Sequence, residues 1–123
     1  MSITVIDNDL YVYENLLKSA LNNDKKDWME QILQAVSDWE IEKSIRKITS
    51  DLDNKAEKRV VVFLAISRCM RYLSKSADDI FATKAMEYTQ EYSTAKEQLF
   101  SSVTDSDGDG NPDYNSWNVE LIR

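Results

Sequence analysis

Both glycines, Gly108 and Gly110, and the only proline, Pro112, of this 123-residue chain fall in one short segment near its C-terminus. Residues 1–107 therefore lack the two residue types that most readily end a helix or fill a positive-φ turn. Such a chain builds long helices joined by polar connections rather than tight hairpins. The segment Glu57 to Leu73, EKRVVVFLAISRCMRYL, indicates which helix lies at the centre. Val60 to Ile66 is an unbroken apolar run, and a helix that is apolar all round needs burial all round. Three consecutive valines leave a buried strand over Val60–Phe63 as the rival assignment. Arg68 and Arg71 cut the run short of the ~20 apolar residues that a membrane span requires.

Spacing places the other elements. Residues 2–6, SITVI, read as a short extended arm. Asp7-Asn8-Asp9 supplies N-cap chemistry, and Leu10, Tyr13, Leu16, Leu17, Ala20 and Leu21 predict a helix over about 9–22. A second helix is predicted from about Lys25 to Thr49. Its core stripe is Met29, Ile32, Leu33, Val36 and Trp39, continued by Ile45 and Ile48; Glu30, Gln34, Asp38, Glu42 and Lys43 face water. Asp53 is the expected N-cap of the central helix. Ser76 and Asp79 resemble a capping box that opens a helix from about Ala77 to Ser101. Along it Phe81, Ala85, Tyr88, Tyr92, Ala95 and Leu99 recur at spacings of 4, 3, 4, 3 and 4, a seam for packing against another helix, with Tyr88 and Tyr92 at the core edge. The expected fold is all-α: a small bundle of about four helices with a long helical hairpin and an extended C-terminal arm. Residues 1–103 form the helical domain, and residues 104–123 an acidic loop plus the arm.

Charge and composition narrow the chemistry. A net charge of -7 disfavours nonspecific nucleic-acid binding and leaves basic protein partners open. There is no histidine, which removes the commonest general base and transition-metal ligand. The one cysteine, Cys69, lies in the apolar helix and reads as a small buried hydrophobe. No paired carboxylates stand out on a cleft-lining face, so no catalytic site is expected. The start MSITVIDNDL lacks the basic residues and apolar run of a signal peptide, so synthesis in the cytoplasm is expected. Arg68 and Arg71, three apart, share a helix face. They either pair with carboxylates of the second helix or form a basic spot for a partner.

Residues 105–113, DSDGDGNPD, carry the most specific chemical signal. Asp105, Asp107 and Asp109 occupy alternate positions, Gly110 permits the turn, Asn111 offers a carbonyl, and Asp113 acts directly or through water. A hard cation such as Ca2+ takes about 6–8 oxygen ligands from such a loop. Ser116 stands where an EF-hand places its bidentate glutamate, and no full exiting helix follows. The alternative is a solvated turn. Beyond it Trp117, Val119 and Leu121 alternate as in an extended arm.

The order of three segments resembles a known family. VSDWEIEKSIRKI (36–48) precedes the apolar helix EKRVVVFLAISRCMRYL. TKAMEYTQEYSTAKEQLFSSV (83–103) follows, with Lys96-Glu97-Gln98-Leu99 near its end. Over about residues 26–103 this is similar to the small helical head–tail connector (adaptor, or head-completion) proteins of tailed bacteriophages. The resemblance implies a structural virion protein without a catalytic site. It implies a homo-oligomeric ring, commonly of twelve copies, between the portal and the tail or a second connector protein. Trp117, Val119 and Leu121 would then dock on a partner, and Arg68 and Arg71 would help pair subunits. Two other functions remain open at this point: a small calcium-binding module, and an acidic helical inhibitor of the immunity or antitoxin type, which would cover a basic toxin.

Overall fold

The computed structural model describes residues 3–48 and 52–104. Every regular element among them is helical: α1 (Asp7–Tyr11), α2 (Leu16–Ser19), α3 (Met29–Ile45), α4 (Asn54–Leu73) and α5 (Ile80–Thr104). The long hairpin is α4 and α5, joined by residues 74–79. The extended C-terminal arm lies outside the described residues.

Helix α4 is the axis of the bundle, and the strand alternative over Val60–Phe63 is overturned. Its N-cap is Asp53, whose carboxylate accepts the Ala56 N–H at 2.9 Å. Every residue from Val60 to Ser67 is buried, as are Cys69 and Met70. α3 and α1 cover one side and α5 another, so no face of the apolar run is left to water. This is why three β-branched valines remain helical. Full burial of each contributes about 1.5–3 kcal/mol, against a helix-propensity cost of well under 1 kcal/mol apiece.

Helix α5 presents the expected seam. Ala85, Ala95 and Leu99 are buried, Phe81, Tyr88 and Tyr92 pack at the edge of the core, and Met86, off the seam, is 74% exposed. The helix begins at Ile80, not Ala77, because Asp79 itself is the cap. Its carboxylate accepts the N–H of Ala82 at 2.8 Å, of Lys75 at 2.8 Å and of Ser76 at 3.2 Å. An aspartate accepting from both sides outcompetes the Ser76 hydroxyl for that role.

Two expectations about the first half are corrected. The helix expected over 9–22 is two short helices, which makes five helices among the described residues. The break falls at Val12–Asn15. There the Tyr13 carbonyl accepts from the Tyr88 hydroxyl at 3.2 Å, and the Glu14 carboxylate accepts from Lys84 Nζ and the Tyr88 hydroxyl, both at 3.0 Å. These bonds to α5 replace one turn of local helix. α3 begins at Met29 rather than Lys25, with the Trp28 N–H donating to the Asp7 carboxylate at 3.2 Å and the Met29 N–H to Asp27 at 3.1 Å. It ends at Ile45 in a Schellman turn: the Lys47 N–H donates to the Ser44 carbonyl at 3.1 Å and the Ile48 N–H to Lys43 at 3.0 Å. Lys47, at φ 59°, holds the left-handed position that usually goes to glycine.

The face that α3 buries is rotated from the expected stripe. Trp28, Ile32, Ala35 and Trp39, spaced 4, 3 and 4, are fully or almost fully buried, whereas Met29 and Leu33 are exposed and Val36 only partly covered. Two tryptophans set the rotation. Trp28 Nε1–H donates to the Leu17 carbonyl at 3.0 Å, and Trp39 stacks on Phe100 with ring centroids 5.4 Å apart. Ile45, expected to continue the stripe, is 69% exposed.

Candidate partner-binding surface

Because the tryptophans turn α3 inward along one edge, its other side carries an apolar row. Met29, Leu33, Ile41 and Ile45 are exposed, Leu33 at 61%, Ile41 at 54% and Ile45 at 69%. With Ser37 between them they repeat at every fourth residue, the spacing of one helical ridge. Sequence reading placed Met29, Leu33 and Ile45 in the core and missed this surface. The signal was present as a second apolar row on the same helix, but nothing local says which of two rows faces inward.

A shallow groove of about 620 Å3 borders the row, lined by Glu30, Leu33, Gln34, Ser37, Asp38 and Arg68. α4 delivers Arg68 to it. The guanidinium pairs with the Asp38 carboxylate of α3, while its Nε is buried without a hydrogen-bond partner among the described residues. Arg68 thus ties α4 to α3 through an ion pair, at the foot of the groove. Arg71, one turn further along α4, stays exposed with no ion pair among the described residues. The structure therefore brings Arg68 together with Leu33 and Ser37 rather than with Arg71 in one basic spot.

A second recess of about 390 Å3 lies on the far side of α4, lined by Tyr13, Phe63, Lys84, Glu87, Tyr88 and Glu91. The Tyr13 and Phe63 rings meet edge to face at 5.0 Å. Burial, then the hydrogen bond to Glu14, raises the Tyr88 phenol above its ordinary value. Burial likewise pushes Tyr92 up to about 12. Both tyrosines are hydrogen-bonded or packed structural groups at the core edge. Cys69, enclosed within α4's core face, has its thiol pushed up to about 12, chiefly by burial, and stays protonated at neutral pH.

The expected cation ligands Asp105, Asp107, Asp109, Asn111 and Asp113, and the expected docking residues Trp117, Val119 and Leu121, lie outside the described residues. Among the described residues no helix is long and apolar enough to cross a membrane. Compared with protein-family models, curated proteins and solved structures, the chain finds no match.

Proposed function

We propose that this chain is a structural building block of a tailed-phage virion, a head–tail connector that sits as a ring between portal and tail and has no catalytic role. The observation that carries the reading is the outward row on α3. Four large apolar side chains stand exposed on a helix whose opposite edge is fully used by the core. An exposed row of large apolar side chains, interrupted by Ser37 alone, on a chain of net charge -7 supports a surface used for protein contact. The order of the sequence segments, similar to that of connector proteins, supports the same reading. On it Trp117, Val119 and Leu121 grip a neighbouring subunit or the portal, and Arg71 adds an exposed cation at the contact. Calcium at Asp105, Asp107, Asp109, Asn111 and Asp113 stiffens the root of that arm. The Asp105→Ala, Asp109→Ala double variant then loses a calcium-dependent rise in melting temperature that the parent chain shows.

The test is mass measurement of the purified chain, alone and mixed with the portal protein of the same phage genome. The reading expects a discrete portal complex containing many copies of the chain. A chain that never associates with the portal overturns it.

A further inference from the structure

At the end of the bundle where α5 stops, the first turns of α4 carry more positive charge than their neighbours use. Lys55, Lys58 and Arg59 stand along a groove of about 250 Å3 between α4 and α1. Its apolar lining is Val12, 80% exposed, Tyr13, 46% exposed, and the buried Val62. Asp9, also in the lining, is already engaged: it pairs with Lys58 at 3.2 Å and accepts the Ile6 N–H at 2.9 Å. Lys55 and Arg59 are exposed and meet no carboxylate among the described residues; the Arg59 guanidinium lies over the Phe63 ring at 5.4 Å. By contrast Lys43, Arg46 and Lys96, near the same end, pair with Glu57, Glu97 and Glu42. We propose that residues 105–117 of the same chain occupy this groove, with Asp105, Asp107 and Asp109 against Lys55 and Arg59, and the Trp117 ring over Val12 and Val62.

The point at which the described chain stops selects this occupant. Phe100, in the last turns of α5, stacks on Trp39 at 5.4 Å, and Trp39 donates to Glu57 of α4 at 2.7 Å. The end of α5 therefore stands level with the start of α4, and residue 105 follows directly after Thr104 at that end. Twelve residues, 105–116, can span up to ~40 Å, several times the ~10–12 Å width of a helix. The groove lies well within that reach.

Charge and size agree with it. Residues 105–123 hold five carboxylates, those of Asp105, Asp107, Asp109, Asp113 and Glu120, and one cation, Arg123. A stretch of that sign is repelled by most of an acidic chain and drawn to Lys55 and Arg59. At about 250 Å3 the groove falls below the ~300–1,000 Å3 of a small-molecule pocket and suits one large side chain carried on a peptide. Covalent attachment makes a modest contact sufficient, because a short tether holds its end at an effective concentration in the millimolar range. The contact is electrostatic at its rim, so it weakens as salt rises. The inference does not depend on the connector reading. It describes the free chain, in which the groove holds the Trp117 that the connector reading gives to a neighbour.

The test uses the full chain carrying Val12→Cys and Ser116→Cys, at the mouth of the groove and beside Trp117. Cys69 is buried and does not compete. The control pairs Ser116→Cys with Ile45→Cys, because Ile45 is also exposed and its neighbour Arg46 meets Glu97 at the same end of the bundle. Mild oxidation is expected to close a disulfide within one chain about tenfold faster at position 12 than at position 45. Lys55→Glu with Arg59→Glu should abolish that advantage, and adding Asp105→Lys, Asp107→Lys and Asp109→Lys should restore it. Trp28 and Trp39 are fully buried, so acrylamide quenching of the chain without added cysteines reads Trp117. Quenching should be about threefold weaker in the parent than in the Lys55→Glu, Arg59→Glu chain, and the difference should shrink between about 0.05 M and about 0.5 M salt. Circular dichroism confirms that each variant is folded. Equal rates at positions 12 and 45 overturn the proposal, as does a rate or a quenching constant that charge reversal leaves unchanged. A disulfide that forms between copies overturns the intrachain seat and leaves the connector reading standing.

Discussion

Replacing Glu57 by alanine removes a buried carboxylate from between two donors. Glu57, 5% exposed, accepts from Trp39 Nε1–H and from Lys43 Nζ, both at 2.7 Å. Without it the indole N–H of Trp39, fully buried, has lost its acceptor, which costs about 1–3 kcal/mol. Lys43 loses its nearer counter-charge and keeps only Glu40, at 3.4 Å. Breaking a buried pair costs about 3–5 kcal/mol, and the residual exposure of Lys43, 16% of its side chain, softens that loss. Both losses arise from one carboxylate oxygen and overlap rather than add, so the cost expected for Glu57→Ala is about 3–5 kcal/mol. Glu57→Gln keeps an oxygen for the indole and is expected to cost about half as much. Urea unfolding followed by tryptophan fluorescence reads both values. A cycle with Lys43→Met isolates the pair, with an expected coupling of about 1–2 kcal/mol.

The pH dependence has a definite sign. Burial alone would lower the Lys43 pKa, but the hydrogen bond and charge of Glu57, with Glu40 behind them, more than offset it and leave it raised above 10.5. The stabilisation is therefore complete below pH 10.5 and is lost as pH climbs through the folded-state value. The stability gap between parent and Glu57→Ala should narrow in strong alkali, as Lys43 gives up its proton. A Glu57→Ala cost below about 1 kcal/mol, no more than one surface ion pair, or a coupling near zero would refute this account of how α3 is held to α4.

Other outcomes follow from single sites. Lys47→Gly relieves a left-handed backbone at the end of α3 and should stabilise the chain by about 0.5–1 kcal/mol, read from the urea midpoint. Cys69, with its thiol pushed up to about 12 by burial, should resist alkylation at pH 8 in the folded chain and react fully in denaturant. Asp79 is held below the usual carboxylate range by the N–H groups of Lys75 and Ala82. Its support for α5 is thus complete above pH 3.8 and fades as pH falls below that. Asp79→Ala should unfold more readily at neutral pH and show a smaller difference from the parent in strong acid.

The parts of the fold that were legible in the sequence were those fixed by local periodicity. α4 announces itself by a run that needs burial on every side, with a strand over Val60–Phe63 as its rival, and the α5 seam by a 4, 3, 4, 3, 4 repeat with Met86 outside it. The rotation of α3 was not legible, because apolar residues line two of its edges. The decision between them rests on Phe100 and Glu57, which meet Trp39 from α5 and α4. The break between α1 and α2 was hidden for the same reason, since the bonds that replace the missing turn come from Lys84 and Tyr88. Of the candidate contact residues, Arg68 found a carboxylate on α3, as its position between the helices allowed, and Arg71 remained at the surface. The outer row of α3 is the by-product of that hidden rotation, which is why it emerged only with the fold.

The central claim, that this chain exists to join other protein subunits, is tested most directly by native mass spectrometry of the chain co-purified with the portal protein from the same genome. The claim predicts one discrete assembly with many copies of the chain per portal ring. Portal rings that emerge bare, beside a chain that is monomeric at every concentration and salt tested, would contradict it.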